Sequence, residues 1–120
     1  MQLFKKITIG GSWAKVGQDL KDGDLITILD EGKEVEGKFG KRNVFSIKTT
    51  NGIKNLTFNQ TTINNLIDAF GTETKQWVGK IVKVWIIKQN VGGVLRNVVY
   101  LSHPDWKLTE NGFIPPVKDN

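Results

Sequence analysis

The stretch "NVFSIKTTNGIKNLTFNQTTINNLIDAFG" at residues 43–71 decides the fold, because its hydrophobic period changes once along its length. Apolar and polar residues first alternate on both sides of Asn51–Gly52, which is typical of two strands with one buried face. Asn-Gly suits a two-residue type I′ turn, in which both central residues have positive φ. The pattern predicts a β-hairpin with strands at 43–50 and 53–59.

The second part of the stretch has a helical period. Its apolar residues recur at i, i+3, i+4 and i+7 and are Ile63, Leu66, Ile67 and Phe70. This spacing predicts a helix over residues 61–71 with one buried stripe. Thr61 or Thr62 is suited to the N-cap, and Gly71 stands where a glycine commonly ends a helix.

Three more strands are predicted around this hairpin and helix. They are "LITIL" at 25–29, "IVKVWIIK" at 81–88 and "VLRNVVYL" at 94–101, and residues 30–42 read as a bent strand extension followed by a loop. The order β-β-β-α-β-β, with one helix between strands 3 and 4, indicates a mostly β, five-stranded OB-fold-like barrel. A ferredoxin-like fold needs two helices, and an SH3-like barrel has no helix of three turns.

The composition favours one globular domain within the 120 residues. We predict an N-terminal arm or extra strand at 1–20, the OB-like domain at 21–104 and an extended C-terminal tail at 105–120. The chain has no cysteine, which excludes disulfides and cysteine-ligated metals. It also has no signal-peptide pattern and no apolar run long enough to span a membrane, so we expect a cytoplasmic protein.

Charge is segregated along the chain, whose formal net charge is +5. Residues 19–36 hold seven acids and two lysines, whereas 37–67 and 74–104 each hold five cations and no acid. If the two basic segments meet in space, they form a patch that attracts polyanions. The alternative is that these lysines only keep a sheet soluble and its edges unpaired.

The segment "FNQTTINNLIDAFGTETKQWVGKIVKVW" at 58–85 resembles small phage and archaeal OB-fold proteins. They share a helix, then a block matched here by Gly71, Thr74, Trp77, Gly79 and Lys80, then a lysine-bearing strand. The resemblance covers about residues 43–101 and extends to "GGVLRNVVYL". It implies a single-stranded DNA-binding or replication-associated protein.

These observations predict binding of single-stranded DNA without sequence preference, in replication or repair. Single strands bind to cationic grooves that track phosphates and to aromatic rings that stack on bases. The expected phosphate contacts are Lys38, Lys41, Arg42, Lys48, Lys54, Lys83 and Arg96. The expected stacking rings are Phe39 and Trp85. Phe39 could instead fold onto the barrel edge, and Phe113 could cover Trp85, whereas Trp77 is expected to be structural.

Other chemistry is poorly represented in the sequence. His103 has no partner histidine or cysteine, and the acids at 19–36 suit solvated turns better than a Mg²⁺ site. No phosphate-binding glycine loop or catalytic triad is present, so we expect no enzyme activity and no cofactor. The alternatives are a docking module of a replication complex and a single-stranded RNA-binding protein.

Overall fold

A computed structural model describes residues 12–37 and 40–116 of the protein. The strands are β1 (Ser12–Trp13), β2 (Leu25–Ile28), β3 (Lys33–Gly37), β4 (Gly40–Thr49), β5 (Gly52–Phe58), β6 (Ile81–Val91), β7 (Val94–Ser102), β8 (Lys107–Thr109) and β9 (Gly112–Ile114). Helix α1 (Gln60–Phe70) follows β5, and a 3₁₀ turn (Thr74–Gln76) precedes β6. None of the helices in these two described ranges is long and apolar enough to cross a membrane.

The main sheet is curled and has seven strands, ordered β1-β5-β4-β2-β6-β7, with β3 paired to β4 beside β2. The prediction of a mostly β chain with one helix is confirmed. The described residues hold more strands than the predicted five, so α1 follows the fifth strand in chain order. It still lies between the two segments predicted as the third and fourth strands, which are β5 and β6. Strands of two or three residues, such as β1, β8 and β9, are too short to show a period.

A bend at residues 30–32 separates β2 from β3 and lets both strands pair with β4. The Asp30 carboxylate accepts hydrogen bonds from the backbone N–H groups of Gly32, at 3.0 Å, and Ser46, at 3.1 Å. Gly32 has φ of 81°, a conformation that side chains rarely adopt. The bent strand extension predicted for this segment is therefore present as β3.

The β4–β5 turn differs by one residue from the prediction. Thr49 pairs with Gly52, so the two connecting residues are Thr50 and Asn51. Gly52 has positive φ, and no non-glycine residue in the described ranges does, which rules out the predicted type I′ turn at Asn51–Gly52. The Thr49 hydroxyl donates to the Gly52 carbonyl at 2.9 Å and accepts from the Asn51 N–H at 3.1 Å. This side chain supplies the local bonds that set the turn.

The core lies between the curled sheet and α1. It consists of Leu20, Ile26, Ile28, Phe45, Ile47, Phe58, Leu66, Trp77, Val82, Val84 and Leu101. Phe45 and Phe58 stack with ring centroids 4.0 Å apart, and Trp77 packs on Phe45 at 5.7 Å. The alternation that predicted the hairpin thus also identified its buried face.

Helix α1 covers the outer edge of β7 with polar side chains. The predicted N-cap is wrong, because the Asn59 side chain accepts the Thr62 N–H at 2.9 Å and caps the helix. The Thr62 hydroxyl instead accepts the Leu101 N–H at 3.0 Å, and Asn65 Nδ2 donates to the Leu101 carbonyl at 3.0 Å. These bonds satisfy backbone groups that an edge strand would otherwise leave open.

The segment 71–80, on which the family resemblance rests, joins α1 to β2 through hydrogen bonds. Gly71 ends the helix with φ of 103°, and its carbonyl accepts Trp77 Nε1–H at 2.9 Å. The Gly79 N–H donates to the Ile28 carbonyl at 2.7 Å, and the Ile28 N–H donates to the Lys80 carbonyl at 3.0 Å. Trp77 is buried, as the sequence predicted.

Candidate nucleic-acid interface

Strand alternation and pairing sort the side chains of the main sheet onto two faces. We call the face turned away from the core the outer face. Thr27 of β2 lies opposite Ile81 of β6 on one side and opposite Lys48 of β4 on the other. Lys48 lies opposite Ile53 of β5, so these four residues form a row across four neighbouring strands.

Over residues 12–37 and 40–116 the outer face carries cations and no strand acid. By register and alternation its cations are Lys33, Arg42, Lys48, Lys83 and Arg96. In the strands of the described ranges the acids are Glu34 and Glu36, which lie opposite Asn43 and Lys41 and so belong to the other face. Folding therefore concentrates positive charge on one side of the sheet.

Exposed apolar side chains lie among these cations. On the outer face Leu25 is 59% exposed, Ile53 64% and Ile81 51%. Trp13, beside Asn55 in the parallel β1–β5 pair, is 47% exposed. Val44 and Asn55 are buried on the same side, so the open part of the face is the row through Lys48 together with Lys83 and Leu25.

The predicted site residues do not all share this face. Arg42, Lys48, Lys83, Trp85 and Arg96 lie on it, whereas Lys41 and Lys54 alternate to the opposite face. Lys41 Nζ lies 3.1 Å from the Glu34 carboxylate and is partly neutralised there. Lys38 and Phe39 lie outside the described residues. The sequence showed the basic run but did not separate its two faces.

Lys54 lies in the field of Asp19, a buried carboxylate that joins residues 15–20 to the β4–β5 turn. Asp19 accepts the Lys15 backbone N–H at 2.9 Å and the Asn51 side-chain amide at 3.1 Å. The Lys15 N–H, then Asn51 and more weakly Lys54, hold the pKa of Asp19 below its ordinary value of 3.8, against the opposing effect of burial. This cation therefore has a structural neighbour within the protein.

We expect the Asp19→Asn variant to be less stable than the parent at pH 7. A carboxylate with a lowered folded-state pKa stabilises the fold fully above its unfolded-state pKa, and that contribution disappears as the pH falls through the folded-state value. The difference between variant and parent should thus shrink below about pH 3.8. Urea unfolding from pH 2 to 7 measures it, with Asp68→Asn on the exposed helix face as control. An unchanged difference at every pH would contradict this role.

Trp85 is half-buried on the outer face, and neighbouring side chains contact it. Its Nε1–H donates to the Ser102 hydroxyl at 2.9 Å, and Lys83 Nζ lies 4.5 Å from its ring centroid. Phe113 of β9 meets the ring in a T-shaped contact at 5.7 Å. The alternative in which Phe113 covers Trp85 is what the structure shows, so Trp85 is not an open stacking ring. The segment predicted as an extended tail folds back as the β8–β9 hairpin.

We expect Phe113→Ala to destabilise the protein by about 1–2 kcal/mol, less than the roughly 3–5 kcal/mol typical of a fully buried Phe. The reason is that the aromatic contacts to Trp85 and Tyr100 are lost. Tryptophan emission should also shift to longer wavelength as Trp85 becomes hydrated. Ile114→Ala, which alters the adjacent and more exposed side chain, is the control. Equal stability of both variants would show that the β8–β9 hairpin does not support the sheet.

The acidic segment uses its aspartates to hold backbone groups. Asp24 accepts the Lys21 N–H at 2.9 Å, and Asp22 accepts the Ile86 N–H at 2.9 Å. Within the described ranges no group of three metal-ligating side chains occurs. His103 Nδ1 accepts the Asp105 N–H at 3.0 Å. The aspartates are thus turn and strand caps, a more specific role than the solvated turns that the sequence suggested.

Beyond Ile86, whose N–H Asp22 caps, β6 and β7 continue as a two-stranded ribbon, residues 88–97. Every residue of the ribbon is exposed, including the apolar Val91, Val94 and Leu95. Arg96 pairs with Gln89 on the outer face, and Lys88 pairs with Asn97 on the other. The ribbon thus extends the outer face past the core.

Comparison with protein-family models and with curated proteins finds no match to this chain.

Proposed function

We propose that the protein binds single-stranded nucleic acid, preferably DNA, without sequence preference through the outer face. The observation that carries the proposal is the segregation of charge: in the part of the chain that the structure describes, one face of the sheet has cations and no strand acid. Phosphate contacts from lysine and arginine supply nearly all of the affinity of sequence-independent binding.

We further propose that the curled sheet is an OB-type barrel. The order β5-β4-β2-β6-β7 corresponds to strands 3-2-1-4-5 of that fold, with the helix after its third strand. OB-folds bind oligonucleotides on the face of strands 2 and 3 and at the loops beside it. Here that face is β4–β5, which carries Arg42 and Lys48. Lys38 and Phe39, which the sequence predicts as contacts, come shortly before β4 in the chain.

In this proposal the nucleic-acid strand crosses the outer face along the row of residues that contains Lys48. Phosphates contact Arg42, Lys48 and Lys83, and bases contact the exposed Trp13 ring and the neighbouring aliphatic side chains. Binding of this kind needs no cofactor and no catalysis, and it protects or presents a strand during replication or repair. RNA is bound through the same contacts if no group on the face detects the 2′-hydroxyl.

A protein-docking role is the second candidate. The exposed aliphatic residues Leu25, Ile53 and Ile81 on the outer face favour it, because clustered exposed apolar side chains commonly mark interaction surfaces. A replication protein would be the partner in that case. The two candidates differ in their response to salt.

Fluorescence anisotropy with labelled oligo-dT, its duplex and the corresponding RNA tests the proposal. We expect saturable binding that favours the single strand, with a slope of log K against log salt of about −2 to −3.5 for three to five phosphate contacts. A slope near zero or preference for the duplex would contradict the proposal and favour docking.

A further inference from the structure

A cavity of about 450 Å³ lies between α1, the outer face of β6–β7 and the β8–β9 hairpin. Two aromatic side chains, Tyr100 and Phe113, and three carboxamides, Asn64, Asn65 and Gln89, are among its lining residues. The volume falls in the range of about 300–1,000 Å³ that is usual for small-molecule sites. Among the residues that the structure describes, no charged side chain lines it.

The polar groups of the cavity are positioned by neighbours. The Tyr100 hydroxyl donates to Gln89 Oε1 at 2.8 Å, so these two polar groups lie side by side at the cavity. Asn65 is buried and donates through Nδ2 to the Leu101 carbonyl, so its side chain is held in place. Tyr100 and Phe113 meet at 5.7 Å with their ring planes 59° apart, and form an aromatic corner.

We propose that this cavity receives one nucleobase of a bound nucleotide, an inference that extends the proposed strand binding to a second, separate site. Carboxamides present both donors and acceptors, which match the edge of a base, and aromatic rings supply stacking surface. An uncharged lining accommodates a neutral base but not a phosphate. Arg96 lies opposite Gln89 on the outer face, so a cation stands beside the cavity for the phosphate of the same nucleotide.

The strand register supplies matched control variants. Asn90 follows Gln89 on β6 but pairs with Leu95 on the opposite face of the ribbon. Lys88 likewise faces away from Arg96, although both are exposed cations of the same ribbon. Tyr100→Phe removes the hydroxyl and keeps the ring that packs on Phe113.

The test is NMR titration of the isotopically labelled, full-length protein, following the side-chain amide signals of Asn64, Asn65 and Gln89. The added compounds are the four deoxynucleoside 5′-monophosphates, the four corresponding deoxynucleosides, inorganic phosphate and a neutral disaccharide. We expect saturable shifts with at least one nucleotide and its nucleoside, and none with phosphate or the disaccharide. Shifts with the disaccharide alone, or no saturable shift at millimolar nucleotide, would overturn the proposal.

Single substitutions test whether the cavity side chains contact the nucleotide. Gln89→Ala and Tyr100→Phe should each weaken nucleotide binding by about threefold to tenfold, the usual effect of one lost hydrogen bond. Asn90→Ala should bind like the parent. Arg96→Ala should weaken the nucleotide but not the nucleoside, and Lys88→Ala should weaken neither. Parent-like binding by Gln89→Ala and Tyr100→Phe would overturn the assignment.

Oligo-dT binding by the parent separates this inference from the proposed function. If oligo-dT binds with the expected salt dependence while the amide signals do not move, the cavity assignment is overturned and strand binding stands. If nucleotides shift the amides while oligo-dT does not bind, the cavity assignment is supported and strand binding is overturned.

Discussion

Gly32→Ala should be more destabilising than alanine at any other glycine in the described ranges, with a loss of about 2–5 kcal/mol from steric overlap and backbone strain together. A Cβ atom at this position would lie 2.5 Å from Cζ of Phe45 and 2.6 Å from its Cε2, closer than real Cβ contacts. Phe45 has little room to retreat, because it is buried and stacked on Phe58 and Trp77. Gly32 also has positive φ, which strains any other residue.

Urea unfolding measures this loss as a lower midpoint at an unchanged m value. Gly23→Ala is the matched control, since Gly23 has φ of 90° and a Cβ added there would meet nothing within 4 Å. It should lose only the backbone term, about 1–2 kcal/mol. The Gly32→Ala/Phe45→Leu double variant should lose less than the two single variants added together, because Leu lacks the overlapping ring atoms. Additive losses, or equal losses at Gly23 and Gly32, would exclude the overlap with Phe45.

The effect at Gly32 shows what sequence patterns can and cannot reveal. The strand before the bend and the strand after it are both predictable, because their residues alternate or are β-branched. The contact between a loop glycine and a ring 13 residues later depends on how β3 returns over β4. Hydrophobic periodicity describes one segment at a time and therefore does not predict such contacts.

The β8–β9 hairpin could have been predicted from the sequence. "TTNG" at 49–52 and "TENG" at 109–112 share Thr-x-Asn-Gly, and in both turns the threonine hydroxyl bonds the glycine carbonyl and the asparagine N–H. The second turn is hard to recognise because its strands have three residues each. The hairpin also places Phe113 on Trp85. Phe113 thereby covers one predicted stacking ring and lines the cavity beside α1.

The candidate interface could be predicted only in part, for a similar reason. A run of cations without acids is visible in the sequence. The predicted strand begins at residue 43, however, so alternation does not assign Lys41 and Arg42 to opposite faces, whereas β4 of the structure begins at Gly40. The side of the sheet that faces the core, and the register that aligns Lys48 with Thr27 and Ile81, depend on pairing between distant segments. The sequence predicts Lys54 as a phosphate contact. Its proximity to the buried Asp19 is not visible there, because Asp19 is far away along the chain.

Replacing Arg42, Lys48 and Lys83 together by Ala should reduce the affinity for oligo-dT by roughly two orders of magnitude at 50 mM salt. Each phosphate contact to a single strand contributes about −0.7 to the slope of log K against log salt, so the slope should become shallower by about 2. The loss should fade towards 1 M salt, since the released counterions then gain little entropy. Anisotropy titrations with labelled oligo-dT at five or more salt concentrations measure both quantities.

The triple variant of Lys41, Lys54 and Lys88 to Ala is the matched control, because it removes the same charge from the opposite face of the same sheet. If the outer face binds the strand, this control should change the slope little and lose affinity only through the smaller long-range attraction of the whole protein. Thermal unfolding of both variants shows whether removing Lys54 beside Asp19 weakens the fold itself.

Equal slopes for the two variants would mean that net charge alone attracts the strand. If the control loses more affinity and more of the salt slope than the outer-face variant does, the DNA strand binds the opposite face. Glu34 and Glu36 on that face would then have to be neutralised first.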